Sequence, residues 1–380
     1  MKWSLKGHEF DELGDRLISM QSIYLFGAGV HGKTVFEKYH EKIVFKGFID
    51  NDAQKQAQLI YGLPILNPKE ITLSEKEAVV ITAQPSLVPE ISRQLLDMGI
   101  ADNVFSMHSF FPVLDYYKFS MLCLPSVSFL PTTVCTLKCK HCLNFTPHIK
   151  KHEVRPLEAL KADLHLLFSK LDSLLLLHIS GGEPFTYPEL DELLLFIDSS
   201  FGNKLGRLEM TTNGTIIPTD SVFSALKEAN VFLTVDDYRG AIPQNMDNHR
   251  ELLTKLDDYK VNYQVLKADY WIDLAPFETD FSQYSEKQLI SHFIQCAVPW
   301  QEYRDGKLYL CNYAAYAEIA GIVDKLPDHD FFDFNNVTRE NRIELLEFRL
   351  GYSDKGYTEF CKGCAGYGNN PHTVIAAEQA

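Results

Sequence analysis

Three cysteines, Cys135, Cys139 and Cys142, fall within eight residues in the stretch Pro131–Asn144. A loop this short can turn three thiolates toward one point, which suits a cubane iron–sulfur cluster. A cluster held wholly by protein needs a fourth thiolate, and no fourth cysteine lies near this loop. One iron is then open to a ligand that is not protein. A second set lies downstream: Cys296, Cys311 and the pair Cys361 and Cys364, with Gly306 between the first two. Four thiolates can ligate a cluster completely, and the same four could make a zinc knuckle. Zinc fits the first set less well, because structural zinc prefers two close cysteine pairs and only one is present there. The eighth cysteine, Cys123, sits in Leu122-Cys123-Leu124, an apolar setting that suits a buried structural thiol.

Glycine turns are the second kind of chemical signal. The run Ser22–Phe26 reads as a buried strand and leads into Gly27-Ala28-Gly29-Val30-His31-Gly32. A helical segment, Lys33–Tyr39, follows, and then an apolar run, Ile43–Ile49, that ends at Asp50. Strand, glycine turn, helix, strand and acid form the dinucleotide-binding fingerprint in its proper context. Gly27, Gly29 and Gly32 would admit a phosphate at the helix N-terminus, and Asp50 would take ribose hydroxyls. The same turn can also serve only to pack helix on strand. Gly181-Gly182-Glu183-Pro184, taken alone, is a proline-terminated turn after the apolar run Leu174–Ile179.

The elements that must hold these groups follow from periodicity. Residues 1–21 form a polar preamble with room for a short helix, and strands at Ala78–Thr82 and Asn103–Met107 with a helix at Pro89–Met98 complete a small α/β unit over 22–112. Residues 113–125, between prolines, read as a linker. From 126 to 290 strands alternate with helices, and Leu157, Leu160, Leu164, Leu167 and Leu171 recur at helical spacing. Strand ends carry Gly181–Pro184, Thr212-Asn213-Gly214 and Asp236-Asp237, and such alternation implies a parallel sheet with its chemistry at strand C-termini. Residues 291–368 hold the second cysteine set, and 369–380 read as a tail.

Composition narrows the classes. The chain has 380 residues, 46% hydrophobic, with a formal charge of −15. That charge argues against binding nucleic acid, which needs a basic face, and against anionic membrane surfaces. No apolar run is long enough to cross a bilayer, and Met1–Met20 has no signal-like stretch. Grouped cysteines in a chain this long read as metal ligands in a reducing cytoplasm.

The three-cysteine spacing resembles that of the radical S-adenosylmethionine (radical SAM) enzymes, over about Val127–Gly368. The resemblance implies an α/β fold: a partial (β/α)6 TIM-like barrel, preceded by a small Rossmann-like domain and followed by a cysteine-rich twitch/SPASM-like extension. It also implies that SAM chelates the open iron through its methionine amino and carboxylate groups. Gly181, Gly182, Glu183 and Pro184 match the family's turn that receives the SAM amino group. Thr212, Asn213, Thr234 and Asp236 stand where the family contacts the ribose and carboxylate of SAM, with Arg239 as a carboxylate partner. His141 replaces the aromatic residue usual before the third cysteine. Cys296, Cys311, Cys361 and Cys364 resemble an auxiliary-cluster region, so two 4Fe–4S clusters are implied. The N-terminal stretch resembles Rossmann-like domains appended to surface-polysaccharide and sugar-modifying enzymes, in Gly47–Asp52 and Gly62–Leu66.

The implied activity is generation of a 5′-deoxyadenosyl radical that abstracts hydrogen from a C–H bond, with a flavodoxin or ferredoxin as reductant. The N-terminal unit favours a carbohydrate, cyclitol or nucleotide-sugar as the small-molecule substrate, oxidised at an alcohol carbon. A SPASM-type maturase that modifies a ribosomally made peptide is the alternative. A base must take the hydroxyl proton, and Asp236, Asp237 and His178 are candidates. Tyr270, Trp271, Trp300, Tyr303 and Arg304 lie in segments that could wall a substrate pocket. A nucleotide-sensing scaffold would require broken SAM motifs, and a NAD-dependent dehydrogenase would leave seven patterned cysteines unexplained.

Overall fold

The computed structural model describes residues 1–83, 87–100, 102–296, 300–368, 370 and 372–380. The chain folds as two compact units, one of Leu5–Pro125 with Arg342–Leu350, the other of Met1–Ser4, Ser126–Asn341 and Gly351–Ala380.

The first unit is built on a six-stranded sheet of β1 (Ser22–Phe26), β2 (Phe45–Ile49), β3 (Leu59–Ile60), β4 (Leu63–Leu66), β5 (Glu77–Ile81) and β6 (Val104–Ser106), in the order β3-β4-β2-β1-β5-β6. Every pairing is parallel except β3 with β4. Such central strands are covered on both faces, which is why β1 reads as a continuous apolar run and is wholly buried. Helices α1 (Asp11–Ile18), α2 (Val30–Tyr39), α3 (Val88–Asp97) and α4 (Met107–Phe119) belong to this unit.

The short helix expected in the polar preamble 1–21 is α1, which buries Leu17. One expectation about this region is corrected. The stretch 113–125 is not a linker: α4 runs through Pro112 to Phe119, and β7 (Cys123–Phe129) starts four residues later. Pro112 misleads as a boundary. Phe110, Phe111, Val113 and Leu114 are all buried, and their packing outweighs the backbone bond that proline removes. Asp115 in the same helix accepts the Tyr39 hydroxyl at 2.6 Å. Cys123 is buried, as its apolar setting implies.

The second unit centres on a five-stranded sheet, β11-β10-β9-β8-β7, formed with β8 (Ser173–Ile179), β9 (Leu205–Thr212), β10 (Phe232–Asp236) and β11 (Asn262–Leu266). The pairings β8–β9, β9–β10 and β10–β11 are parallel. Helices α5 (Leu157–Lys170), α6 (Leu190–Phe201), α7 (Asp220–Glu228) and α8 (Met246–Asp258) alternate with these strands. Leu157, Leu160, Leu164 and Leu167 form the buried stripe of α5, so the leucine periodicity is the core-facing side. A single parallel bridge joins Ser128 of β7 to Glu302.

The rest of this unit holds β12 (Tyr270–Ile272), α9 (Glu286–Cys296), a small sheet of β13 (Tyr303–Arg304), β14 (Lys307–Tyr309) and β15 (Phe331–Asp333), helix α10 (Asn312–Ile319) and β16 (Thr373–Ile375). The short α11 (Arg342–Arg349) returns to the first unit. No helix among the described residues is long and apolar enough to cross a membrane.

Candidate active site

Beyond β7 the chain turns through Thr132–Val134, and the Gly181–Glu183 turn lies against it. Gly182 N–H donates to Thr132 O at 3.0 Å and Glu183 N–H to Val134 O at 2.7 Å. A Cβ on Gly182 would stand 2.2 Å from Val134 O, so only glycine allows this approach. The cysteine loop follows directly. Cys135, Cys139 and Cys142 line one cavity of about 310 Å³, together with Gly181, Glu183 and Asn213. Backbone N–H of Leu137 points at Cys135 Sγ (3.5 Å), as does the Asn213 side-chain amide (3.6 Å). Burial pushes the Cys135 thiol up to about 12 and Cys139 up to about 11. Thiols this sheltered become thiolates on binding a metal, and then act as its ligands. Among the described residues no group of three or more His, Cys, Asp or Glu side chains is drawn together to hold a metal ion.

The expected tail does more than trail from the fold. Asn369 and Pro371 lie outside the described residues, but β16 pairs with β12 and the chain then runs along the cysteine loop. Lys140 N–H donates to Glu378 O at 2.8 Å, and Ala380 N–H to Lys138 O at 2.7 Å. Lys138 N–H donates to Gln379 Oε1 at 2.9 Å, and the Gln379 amide donates to Cys139 Sγ at 3.3 Å. Ala377 is fully buried against Leu137, Cys139 and Ile242. Residues 376–380 therefore form one wall of the thiol site, and no local pattern in their sequence announces it.

The remaining expected residues divide into two groups. Glu183 is fully buried, and its carboxylate accepts from Thr212 Oγ1 (2.8 Å) and from the amides of Phe185 (3.1 Å) and Asn213 (2.8 Å). Burial pushes this carboxyl up to about 7 despite those bonds. Asp236 lines the cavity, accepts the Tyr238 hydroxyl at 2.7 Å and is pushed by burial up to about 6. His178 also lines it, stacks on Trp300 with centroids 5.1 Å apart and bonds Thr211 Oγ1 at 3.1 Å. Burial lowers this imidazole to about 4, so it is neutral at pH 7. Asp237, Arg239 and Thr234 are not among the residues lining the cavity. Arg239 grips Asp237 through two bonds of 2.7 Å, which holds the Asp237 carboxyl at about 2, and Thr234 accepts the Gln264 amide. Of the aromatic candidates Trp271 and Trp300 line the cavity, while Tyr270 is exposed, Tyr303 bonds Asp163 O and Arg304 pairs with Glu153.

Residues 129–249 match the model of the Radical SAM superfamily. These residues form a radical SAM domain. Residues 19–104 match a second model, described as C2185-like, N-terminal. No curated protein matches the chain in sequence. Solved structures similar to it include native anSMEcpe with bound AdoMet, at 13% identity and a TM-score of 0.43, over 67% of this chain and 94% of that one. BtrN in complex with AdoMet and 2-DOIA is 14% identical with a TM-score of 0.38, over 67% of this chain and 96% of that one. SuiB of Streptococcus suis bound to precursor peptide SuiA is 17% identical with a TM-score of 0.32, over 52% of each chain. The chain spans 43% to 52% of the length of three SuiB structures and of anSMEcpe with the Cp18Cys peptide.

The radical SAM domain fits its cofactors by donor chemistry. Three sulfur donors face one cavity, and Gly181, Gly182 and Glu183 line it beside them. The other four cysteines lie beyond the matched residues. Cys296 ends α9, Cys311 caps α10, and Cys361 and Cys364 flank a short turn. Burial raises all four thiols, and Cys311 is raised further by Cys296, Cys361 and Cys364. Their sulfurs accept hydrogen bonds: Tyr367 N–H to Cys296 at 3.1 Å and Gly366 N–H to Cys364 at 3.4 Å. His141, beside the first set, pairs with Asp273 at 2.9 Å.

In the first unit, Gly27 and Gly29 lie between β1 and α2, and Gly32 stands in the first turn of α2. A Cβ on Gly32 would meet Gly27 O at 2.0 Å, whereas Gly29 has open space around it. Asp50 turns back on this loop, accepting Ala28 N–H at 3.0 Å, and pairs with Lys55 at 3.1 Å. A cavity of about 530 Å³ in this unit is lined by Asn51, Asn67, Lys69 and Arg93, and by none of Gly27, Gly29, Gly32 or Asp50. The sequence reading missed Gln379, Tyr238, Asn312 and Tyr316. For the last two a signal existed, since they lie one and five residues after Cys311 in the chain.

Proposed function

We propose that this protein is a radical SAM oxidoreductase that dehydrogenates an alcohol carbon of a carbohydrate, cyclitol or nucleotide-sugar in the cytoplasm. Cys135, Cys139 and Cys142 would hold the SAM-binding 4Fe–4S cluster. Cys296, Cys311, Cys361 and Cys364 would hold the auxiliary one. When bound, the first cluster with SAM supplies abstraction of a carbon-bound hydrogen atom, and the second supplies a sink for the remaining electron.

The chain's own residues do the rest. Gly181 and Gly182 present backbone to SAM, and Glu183 fixes Asn213 at the cavity edge through its amide. Trp271, Trp300 and Tyr238 wall the cavity with rings, and rings pack well on the C–H faces of a saturated ring substrate. The observation that carries this reading is the four-cysteine set. Loaded with one 4Fe–4S cluster, it would leave no iron open for substrate, and full ligation suits electron acceptance better than substrate binding. We assign the Gly27–Gly32 turn with Asp50 to a nucleotide or nucleotide-sugar, and the reductant to a flavodoxin or ferredoxin.

The test is anaerobic reconstitution, reduction and incubation with SAM and pools of cyclitols, sugar nucleotides and peptides in heavy water. A sugar or cyclitol product lighter by two hydrogens, without carbon-bound deuterium, is the expected result. A modified peptide, or an isomeric product carrying solvent deuterium on carbon, overturns the proposal.

A further inference from the structure

The 310 Å³ cavity has a polar surface that the thiol site does not use, formed by Ser128, Ser180, Asn312 and Tyr316. Tyr316 comes from α10 and is 2% exposed. Its hydroxyl donates to Glu302 Oε2 at 2.7 Å. The same oxygen lies 3.2 Å from Ser128 Oγ and 3.1 Å from Ser180 Oγ, and Ser128 donates to Ser180 at 3.0 Å. Ser128, Ser180, Tyr316 and Glu302 thus form one hydrogen-bonded cluster in which Tyr316 donates to Glu302. Glu302 stands behind the phenol, fully buried and absent from the cavity wall.

Asn312 supplies the independent observation. It is 6% exposed, lines the cavity, and its Oδ1 meets no hydrogen-bond donor among the described residues. A buried carbonyl left unpaired costs about 1–3 kcal/mol, so it marks a place where a ligand donor belongs. A network that served packing alone would not need an unpaired acceptor on a cavity wall.

We infer that Tyr316 receives the hydroxyl proton of a polyhydroxylated ring substrate, with Glu302 as its positioning residue and Asn312 accepting a neighbouring hydroxyl. This rests on the dehydrogenation proposed above. Oxidation of a secondary alcohol to a ketone removes one hydrogen atom from carbon, one proton from oxygen and one electron. The atom would go to the SAM-derived radical, and the electron to the auxiliary cluster that Cys296, Cys311, Cys361 and Cys364 would hold. The proton needs an acceptor on the chain. As the substrate O–H bond breaks and the C=O bond forms, the proton passes to Tyr316 Oη, while the phenol's own proton moves along its hydrogen bond to Glu302.

Glu302 is suited to this. Burial pushes its carboxyl up to about 6, against the Tyr316 bond and the pull of Arg304 and Arg155. It is therefore ionised at pH 7.5 and still basic enough to accept. Neither Asp236, bonded to Tyr238, nor neutral His178 has such a relay behind it.

The experiment uses the reconstituted, SAM-loaded full chain, with Tyr316→Phe, Glu302→Gln and Asn312→Ala. Retention of both clusters and of the melting temperature checks folding. Binding is measured calorimetrically with scyllo-inositol, N-acetylglucosamine and UDP-N-acetylglucosamine. At least one should bind, and about tenfold more weakly to Asn312→Ala and Tyr316→Phe. Where a bound probe is oxidised, Glu302→Gln should slow ketone formation by about 100-fold or more and abolish the fall in rate below about pH 6. Polyol binding that depends on Asn312 and Tyr316, without oxidation of any probe, would overturn the dehydrogenase reading and leave the hydroxyl site standing. No polyol binding, or binding, rate and pH profile unchanged in all three variants, overturns the inference itself.

Discussion

The side-chain amide of Gln379 donates to the sulfur of Cys139 at 3.3 Å across 240 residues of chain. Hydrogen bonds to cluster sulfur stabilise the reduced, more negative state and so raise its potential. Gln379→Ala should then shift the midpoint of the SAM-binding cluster to more negative values without loss of iron. Gln379→Glu, which places a carboxylate there, should shift it further. Redox titration followed by electron paramagnetic resonance reads both, and midpoints equal to wild type would show that this bond does not tune the cluster.

The two cysteine sets should load separately. A Cys135/Cys139/Cys142 triple alanine variant should lose about four irons and keep the auxiliary signal. A Cys361→Ala/Cys364→Ala variant should lose the other four and retain reductive SAM cleavage. Wild-type protein containing about four irons and one zinc would return the second set to a zinc knuckle.

Gly182→Ala should be costly, because its new methyl group would stand 2.2 Å from Val134 O. Relief must come from moving backbone of the cysteine loop, at about 1–3 kcal/mol. A lowered melting temperature together with weakened SAM binding is expected. Unaltered SAM affinity would mean that the turn does not shape that site.

Gly29 offers the opposite case, since it has open space where Gly182 has none. Gly29→Val should leave the melting temperature of the chain nearly unchanged while abolishing any binding of UDP-N-acetylglucosamine or NAD at that turn. Retained binding would assign the turn to packing and not to phosphate.

Asp50 yields a pH signature. Burial works to raise its carboxyl, but the amides of Asp52 and Ala28 and the Lys55 ammonium outweigh burial and hold it below the ordinary range. A carboxyl lowered in the folded state stabilises above its unfolded pKa, and that gain disappears as pH falls through the folded value. Asp50→Asn should therefore be less stable than wild type at pH 7, with the gap closing in acid. Equal melting temperatures at pH 7 would show the ion pair and amide bonds to be inconsequential.

Much of the site was legible because its ligands announce themselves by spacing. Cys135, Cys139 and Cys142 lie in one loop, and Gly181–Pro184 follows one strand later. Alternating strands and helices likewise placed most elements of both sheets. What escaped depended on distant partners. Arg239 looks free for a carboxylate until its neighbour Asp237 turns out to hold it from two residues away. Tyr316 and Glu302 are brought together by the β13–β14 hairpin and α10, and neither residue type signals that in isolation. Pro112 read as a boundary because local propensity carries no knowledge of the packing that keeps α4 intact.

The wall that residues 376–380 build over the cysteine loop also imposes an order in time. Cys139 and Gln379 are 240 residues apart, which at about 5–20 residues per second is roughly 12–50 s of synthesis. For that interval the nascent loop presents three thiols with neither the Gln379 amide nor buried Ala377 beside them. A cluster inserted then would sit open to water and oxidant. Iron delivery is thereby best matched to chains in which residues 376–380 have already docked, and a chain interrupted before them would hold a cysteine loop that can take iron and cannot shelter it.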